Sequence, residues 1–431
     1  MKKQKVNIVT LGCSKNLVDS EYLMKQLEAN GFEVYHDDDE VEADCILLNT
    51  CGFIHDAKEE SVDYIFNAVN VKEAGDTSKV IVFGCLSQRY KEALKSDIPE
   101  VDRFFGVDEI PEIVEFLGGK YKSELDNERF TTTPKHYAFL KVGEGCNWGC
   151  SYCAIPLIRG KHISKPIEDL VFEAKMLAKK GVKELILIAQ DLTYYGIDLY
   201  GERKLAELLV KLEAINGIEW IRLHYAYPTK FPMEVIELMK NSSKICSYLD
   251  IPLQHINTKV LKNMRRGISK EQTIELMNYM RTEIPNMAIR TTMLVGHPGE
   301  GEEEFNELLE FVKEFKFDRL GVFPYSLEED TYSADNFEDT VSEEVKQSRV
   351  DEIMEIQMAI SMELNKQKVG KTFKTLIDRR EGEYYVGRTE FDSPEVDNEV
   401  LIESDKELEI GEFYSVKVYK AESYDLYGEI I

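Results

Sequence analysis

No apolar run approaches the roughly 18 residues that a membrane-spanning helix needs, and the longest candidates, such as Leu185–Ala189, fall far short. Basic residues are also scarce: 53 Lys and Arg stand against 80 Asp and Glu, a formal charge of −27. Phosphate backbones repel such a surface, which argues against direct strong nucleic-acid binding. A basic protein partner suits it better, although solubility alone also accounts for the charge. The start, Met1-Lys2-Lys3-Gln4-Lys5, is basic but has no apolar segment behind it, because Val6–Leu11 reads as a strand. No signal peptide and no membrane partner are therefore expected, and the cytoplasm is the expected compartment. Internal repeats and low-complexity tracts are lacking as well, which excludes a repeat array.

What is present is enough for two or three domains, since 431 residues at 43% apolar composition can bury more than one core. Residues 1–117 alternate apolar runs with helical patterns. Val6–Gly12, Cys45–Thr50 and Val80–Gly84 are the runs, and helices are expected after Gly12, near Asp56–Ala68 and over Arg89–Lys95. Strands alternating with helices predict an α/β domain with a doubly wound parallel sheet. Residues 118–135 are polar, contain Thr131-Thr132-Thr133-Pro134 and read as a linker.

A second series fills residues 136–368. Its strand candidates are Ala138–Val142, Glu184–Ala189, Trp220–His224, Tyr248–Pro252, Ile289–Val295 and Arg319–Pro324. Pro166–Lys179, Leu205–Ile215, Pro232–Lys240, Lys270–Arg281 and Glu302–Phe315 read as the intervening helices. Six such units predict an open (β/α)6 barrel, three-quarters of a full eightfold one. A long helix is expected to start at a capping box, Thr340-x-x-Glu343, and to bury Ile353, Ile356, Ile360 and Leu364. Residues 369–431 switch to short alternating strands with turn signals, which predicts a small antiparallel β-barrel. Residues 371–431 carry 8 Lys and Arg against 16 Asp and Glu.

Eight cysteines in a long intracellular chain point to metal rather than disulfides. Cys146-x3-Cys150-x2-Cys153 directly follows the first strand of the second series, and Gly143, Gly145 and Gly149 free the backbone to wrap closely. Three thiolates on one loop can hold three irons of a [4Fe–4S] cluster and leave the fourth open. A structural zinc site wants a fourth ligand, and no Cys or His stands at zinc-finger spacing, His162 being the nearest.

This arrangement resembles the radical S-adenosylmethionine (SAM) superfamily. The resemblance implies that SAM chelates the open iron and is cleaved to a 5′-deoxyadenosyl radical, chemistry suited to a C–H bond no side-chain base can break. Tyr152 stands where the superfamily contacts adenine, or it packs in the core. Further SAM contacts are expected at strand ends: Gln190 and Asp191, Gln254 with His255, Arg290 and Thr292, and Gly296 in Gly296-His297-Pro298-Gly299-Glu300. Arg290 has the fork to meet a carboxylate. The alternative is ordinary polar residues and turns at strand ends.

Cys13, Cys51 and Cys85 each sit just past a predicted parallel strand, and a doubly wound sheet gathers those ends at one edge. Convergence there predicts a second three-thiolate [4Fe–4S] site. Cys45, inside a strand, and Cys246, in a helix–strand connection, are expected to be core thiols.

Two such triads followed by a small barrel resemble the methylthiotransferase family over essentially the whole chain, with a TRAM domain as the last piece. Gly12-Cys13-Ser14-Lys15-Asn16, Cys153-Ala154-Ile155-Pro156 with Arg159-Gly160, Gly387-Arg388-Thr389 and Ser393-Pro394-Glu395-Val396-Asp397 carry the likeness; Ser393 departs from an expected Ala. The resemblance implies the branch that modifies one aspartate of small-subunit ribosomal protein twelve. One cluster and SAM would generate the radical, sulfur would come from the open iron of the other, and a second SAM would supply the methyl. A reductant such as flavodoxin or ferredoxin is implied as well. The acidic barrel suits a basic ribosomal protein, with Phe391, Tyr424 and Tyr427 as candidate contacts. A tRNA adenosine methylthiotransferase and a non-catalytic iron–sulfur carrier are the alternatives.

Overall fold

The computed structural model describes residues 3–431; Met1 and Lys2 of the basic start lie outside the described residues. The chain forms two compact units. The first takes the described residues up to Thr133 with Phe139–Asn147 and Cys153–Met176; the second takes Pro134–Ala138, Trp148–Tyr152 and Leu177–Ile431.

In the first unit, β1 (Lys5–Thr10), β2 (Glu33–His36), β3 (Cys45–Thr50), β4 (Lys79–Gly84) and β5 (Arg103–Phe104) form one sheet in the order β2-β1-β3-β4-β5. Every pairing is parallel. Both faces are covered, which is why the strands read as continuous apolar runs. Successive residues serve opposite faces: Leu47, Ile81 and Phe83 pack with Leu23 and Leu27 of the helix Ser14–Ala29, while Leu48, Val80 and Val82 pack with Ile65 and Val69 of the helix His55–Ala74. The chain order reverses between β1 and β3, and that switch point opens a crevice at the carboxyl ends of the strands. The helix after β4 begins at Cys85 rather than near Arg89, with Gly84 (φ +95°) as its cap, so Cys85 opens a helix instead of sitting in a loop. β6 (Tyr137–Lys141) enters this unit at Phe139 and leads to a short antiparallel ribbon, β7 (Gly143–Glu144) with β8 (Ile163–Ser164).

The second unit adds β9 (Glu184–Ile188), β10 (Trp220–Leu223), β11 (Ile245–Asp250), β12 (Ala288–Val295) and β13 (Arg319–Pro324), giving the six-stranded order β13-β12-β11-β10-β9-β6. β11 starts three residues before the expected strand, so Cys246 lies within it, buried, and not in a connection. The long helix is Glu343–Lys366, and its N-cap is Ser342, whose hydroxyl accepts from the Val345 amide; the Thr340 capping box does not form. Its buried side keeps Ile353 and Ile360 but uses Gln357 and Asn365 where Ile356 and Leu364 were expected. Both amides bond main-chain carbonyls, of Phe317 and of Glu422 and Ser423.

β14 (Thr372–Glu381), β15 (Tyr384–Thr389), β16 (Glu399–Glu403), β17 (Phe413–Ala421) and β18 (Asp425–Ile430) close a barrel in the order β14-β15-β16-β18-β17. It is antiparallel except between β16 and β18, which run parallel, a departure from the all-antiparallel expectation. Among the described residues no helix is long and apolar enough to cross a membrane.

Candidate functional site

In the first unit, register alone brings the sequence-distant cysteines together. Thr50 pairs with Gly84, so the next residues, Cys51 and Cys85, leave the sheet side by side. Thr10 pairs with Asn49, which sets the turn carrying Cys13 against the same edge. A Cβ on Gly12 (φ +89°) would stand 2.7 Å from Cys51 Cβ, and one on Gly52 would stand 2.7 Å from Leu86 Cα. The three cysteine segments are thus in van der Waals contact, closer than any side chain allows.

Polar side chains lock them. The Asn16 amide donates to Leu11 O at 2.8 Å and Thr50 O at 3.2 Å. Ser61 Oγ accepts from the Cys51 amide at 3.0 Å and donates to the Cys51 carbonyl at 2.9 Å. Burial pushes the Cys51 thiol up, and it pushes Cys85 up to about 12 against the opposing charge of Arg159. Cys13 is exposed. No disulfide joins any of the eight cysteines. Among the described residues no three His, Cys, Asp or Glu side chains close on a single metal ion. A [4Fe–4S] cube asks for something wider, one thiolate to each of three irons. Three thiols on clamped segments, with buried Arg159 donating to Cys85 Sγ at 3.3 Å, fit that demand.

Within the first unit the Cys146 amide donates to Gly160 O at 3.1 Å. Gly145 (φ +75°) has no room for a Cβ, which would meet Lys161 O at 2.2 Å. Trp148 lies flat on Tyr227, centroids 4.2 Å apart at 8°, and donates to Asp191 at 2.6 Å. The hydroxyl of Tyr227 is 3.4 Å from Cys150 Sγ, and Arg266, stacked on Tyr227, reaches the same sulfur at 3.5 Å. Arg266 is buried, so its charge is felt by Cys150 with little screening.

The strand ends of the second unit hold the remaining expected residues. Asp191 is buried, and its carboxylate accepts from Trp148, the Thr193 amide and hydroxyl, and the Tyr227 amide. Burial raises its pKa. Arg290 is paired with Asp250 at 3.2 Å and Asp397 at 3.5 Å rather than standing as an uncommitted fork. Gln254 adopts φ +72°, with its amide on Thr292 O and its carbonyl taking Leu294 N. Tyr225, past β10, and Arg265 share that left-handed geometry. Non-glycine residues held this way concentrate at ligand-binding edges. Gly296 (φ +78°) lies against the Lys346 side chain, and Glu300 in the same loop is held by Arg349 and the Gly296 amide. Half-buried Tyr152 packs on Val260, Met264, Leu294 and Tyr325 and meets His297 edge-on. Gln190 lies two residues past the end of β9 and is partly exposed.

Sequence reasoning missed Trp148, Tyr227, Arg266 and the role of Arg159. Trp148 was visible inside the cysteine loop. Tyr227 and Arg266 stand 77 and 116 residues from Cys150, and no local pattern marks them.

Three stretches of the chain match known families. Residues 5–106 match the uncharacterized protein family UPF0004, 140–312 the radical SAM superfamily and 369–431 the TRAM domain. A Flavobacterium johnsoniae protein named ribosomal protein uS12 methylthiotransferase RimO is 58% identical, covering 100% of this chain and 98% of its own. One of the same name from Phocaeicola vulgatus is 54% identical and covers 100% of both. Among solved structures, the radical SAM methyltransferase TsrM from Kitasatospora setae, with cobalamin and a [4Fe-4S] cluster bound, has a TM-score of 0.55 at 15% identity, covering 75% of this chain and 72% of its own. The cobalamin-dependent SAM radical enzyme OxsB has a TM-score of 0.51 at 13% identity, covering 82% and 56%. At such identity the likeness is one of fold.

Proposed function

The chain belongs to the family of ribosomal protein uS12 methylthiotransferases, the RimO proteins, and on that premise we propose that it places a methylthio group on the β-carbon of one uS12 aspartate. The reaction is radical SAM chemistry, and an iron–sulfur cluster and SAM are its cofactors. In this reading Cys146, Cys150 and Cys153 hold one [4Fe–4S] cluster, and Cys13, Cys51 and Cys85 hold a second. Bound there, the clusters supply the electron that cleaves SAM and an open iron that carries sulfur.

The single observation that carries the two-cluster reading is the convergence of three cysteine segments at one edge of a parallel sheet, too close for side chains between them. Arg266 and Tyr227 orient Cys150, and Arg159 orients Cys85. Gln190, Gln254, Thr292 and Tyr152 present polar and aromatic groups to SAM, while Asp191, Arg290 and Gly296 shape the wall behind them. The family's activity divides over residues 1–117, 136–368 and 369–431, joined by 118–135. A flavodoxin or ferredoxin supplies the electrons, and the reaction takes place in the cytoplasm. The TRAM barrel, with twice as many acids as bases, receives a Lys- and Arg-rich protein and leaves tRNA unbound.

Mass spectrometry of coexpressed uS12 tests the substrate: one aspartate is expected to gain SCH3 in place of H, and unmodified uS12 sinks the reading. Cys51→Ala is expected to retain 5′-deoxyadenosine formation and lose methylthio product, while Cys150→Ala loses both. Methylthio product from the Cys51 variant would remove the sulfur-carrying role from that triad.

A further inference from the structure

Arg159 closes the short helix Ile155–Arg159, which begins two residues after Cys153, yet its side chain serves the other triad. Its Nε donates to Cys85 Sγ at 3.3 Å, and its Nη2 donates to Asn16 Oδ1 at 2.5 Å. Nη1 reaches Asp19 at 3.0 Å and Glu144 at 2.7 Å. Lys141 completes the group, bonded to Asp19 and to Glu144. Ala154 and Ile158 of the same segment pack on Cys85 and Val107. Every part lies within the first unit.

The arrangement is over-built for structure alone. Two carboxylates and two cations already balance one another, so Cys85 is bonded by an arginine whose charge is otherwise matched. The Arg159 side chain is 2% exposed, which leaves water little access to screen it. All three faces of the guanidinium are used, and each direction is fixed: the carboxylates hold one side, the Asn16 carbonyl the second, and the third can only point at sulfur. Asn16 in turn donates to the main chain just after β1 and at the last residue of β3, so the arginine is registered against the segments that lead into Cys13 and Cys51.

We propose that Arg159 is a positioning residue for the cluster at Cys13, Cys51 and Cys85, its donated hydrogen bond and charge raising that cluster's reduction potential. This rests on the two-cluster reading above. A hydrogen bond to a ligating thiolate withdraws electron density from the cluster and makes an added electron less costly. Without Arg159, the carboxylates of Asp19 and Glu144 would keep only Lys141 to offset them.

The test uses full-length protein carrying Cys146→Ala, Cys150→Ala and Cys153→Ala, so that only the other triad can hold iron. Anaerobic reconstitution is followed by iron analysis and by redox titration monitored by electron paramagnetic resonance. Arg159→Gln in this background is expected to shift the midpoint to more negative potential. Arg159→Lys, which keeps the charge but loses the planar fork, is expected to fall between the two. A loaded Gln variant with the parent's midpoint overturns the proposal. If the Gln variant holds no iron, the Lys variant decides, a parent-like midpoint overturning the role and a lowered one supporting it. Absence of iron from the triple variant itself overturns the second cluster, and this inference with it.

Discussion

Gly12 shows how tightly single residues constrain the site. Its φ of +89° is open to glycine, and an added Cβ would stand 2.7 Å and 2.9 Å from Cβ and Sγ of Cys51. Left-handed backbone costs an alanine about 1–2 kcal/mol before any clash is counted. Gly12→Ala is therefore expected to lower stability in urea unfolding by at least about that amount. It should also displace Cys51 and cut iron after anaerobic reconstitution from about eight to about four per chain, if two four-iron clusters are bound. A variant with full iron and unchanged stability would show that the contact is slack.

Elements of the second unit are tied through buried charge. Glu184 on β9 accepts from Arg222 on β10 at 2.7 Å and forms an ion pair with Arg388 on β15 at 2.9 Å, all three side chains nearly inaccessible. Those two guanidinium groups hold the Glu184 carboxyl below the usual range although burial opposes them. Removing one partner of a buried pair leaves the others uncompensated, so Glu184→Ala is expected to cost about 3–5 kcal/mol in denaturant unfolding. Nothing in the sequence marks this: Glu184 reads there as the first residue of a strand, and Arg388 stands 204 residues away. The strands themselves were legible, Cys45–Thr50 and Arg319–Pro324 to the residue, because two buried faces leave long apolar runs. β2 and β5 were not, since Glu33–His36 is an edge strand of mixed polarity and Arg103–Phe104 is only two residues long. Both cysteine sets were legible by spacing and by position at strand ends, whereas their partners were not, because topology alone brings them near.

The loop Gly296–Glu300 carries a further consequence at this scale. His297 bonds the Pro298 carbonyl through Nδ1, which must carry the hydrogen, and its Nε2 accepts from Ser151 and Ser333. Burial favours the neutral ring and lowers its pKa from 6.5 to about 4. The unfolded chain therefore takes up the proton first as the pH falls below about 6.5. Stability from neutral His297 is full above that value and is lost on descent toward pH 4. In cluster-free protein, wild type is expected to lose of order 1–3 kcal/mol more than His297→Gln between pH 7 and 4. Parallel pH profiles in urea unfolding would contradict a buried neutral ring.

At the scale of the whole molecule, charge is the property most readily tested. The excess of 27 acids is spread along the chain, but the last 61 residues hold 16 acids and 8 bases. Glu383, Glu403, Asp405 and Glu407 of that barrel are exposed, and Tyr424 is half exposed, while Phe391 packs inward on Trp220 and Tyr248. A basic substrate would be attracted from beyond contact range, over the Debye length of about 10 Å at 0.1 M salt, and held by rim charges that change association more than chemistry. Converting those four acids to the amides halves the barrel's net charge. KM for uS12 is then expected to rise several-fold at low salt with kcat unchanged, and its dependence on ionic strength to flatten. Equal KM values for parent and variant across a salt series would mean that the acidic barrel keeps the protein soluble and does not recruit its substrate. Tight binding of bulk tRNA at moderate salt would mean that the charge argument against a nucleic-acid substrate is wrong.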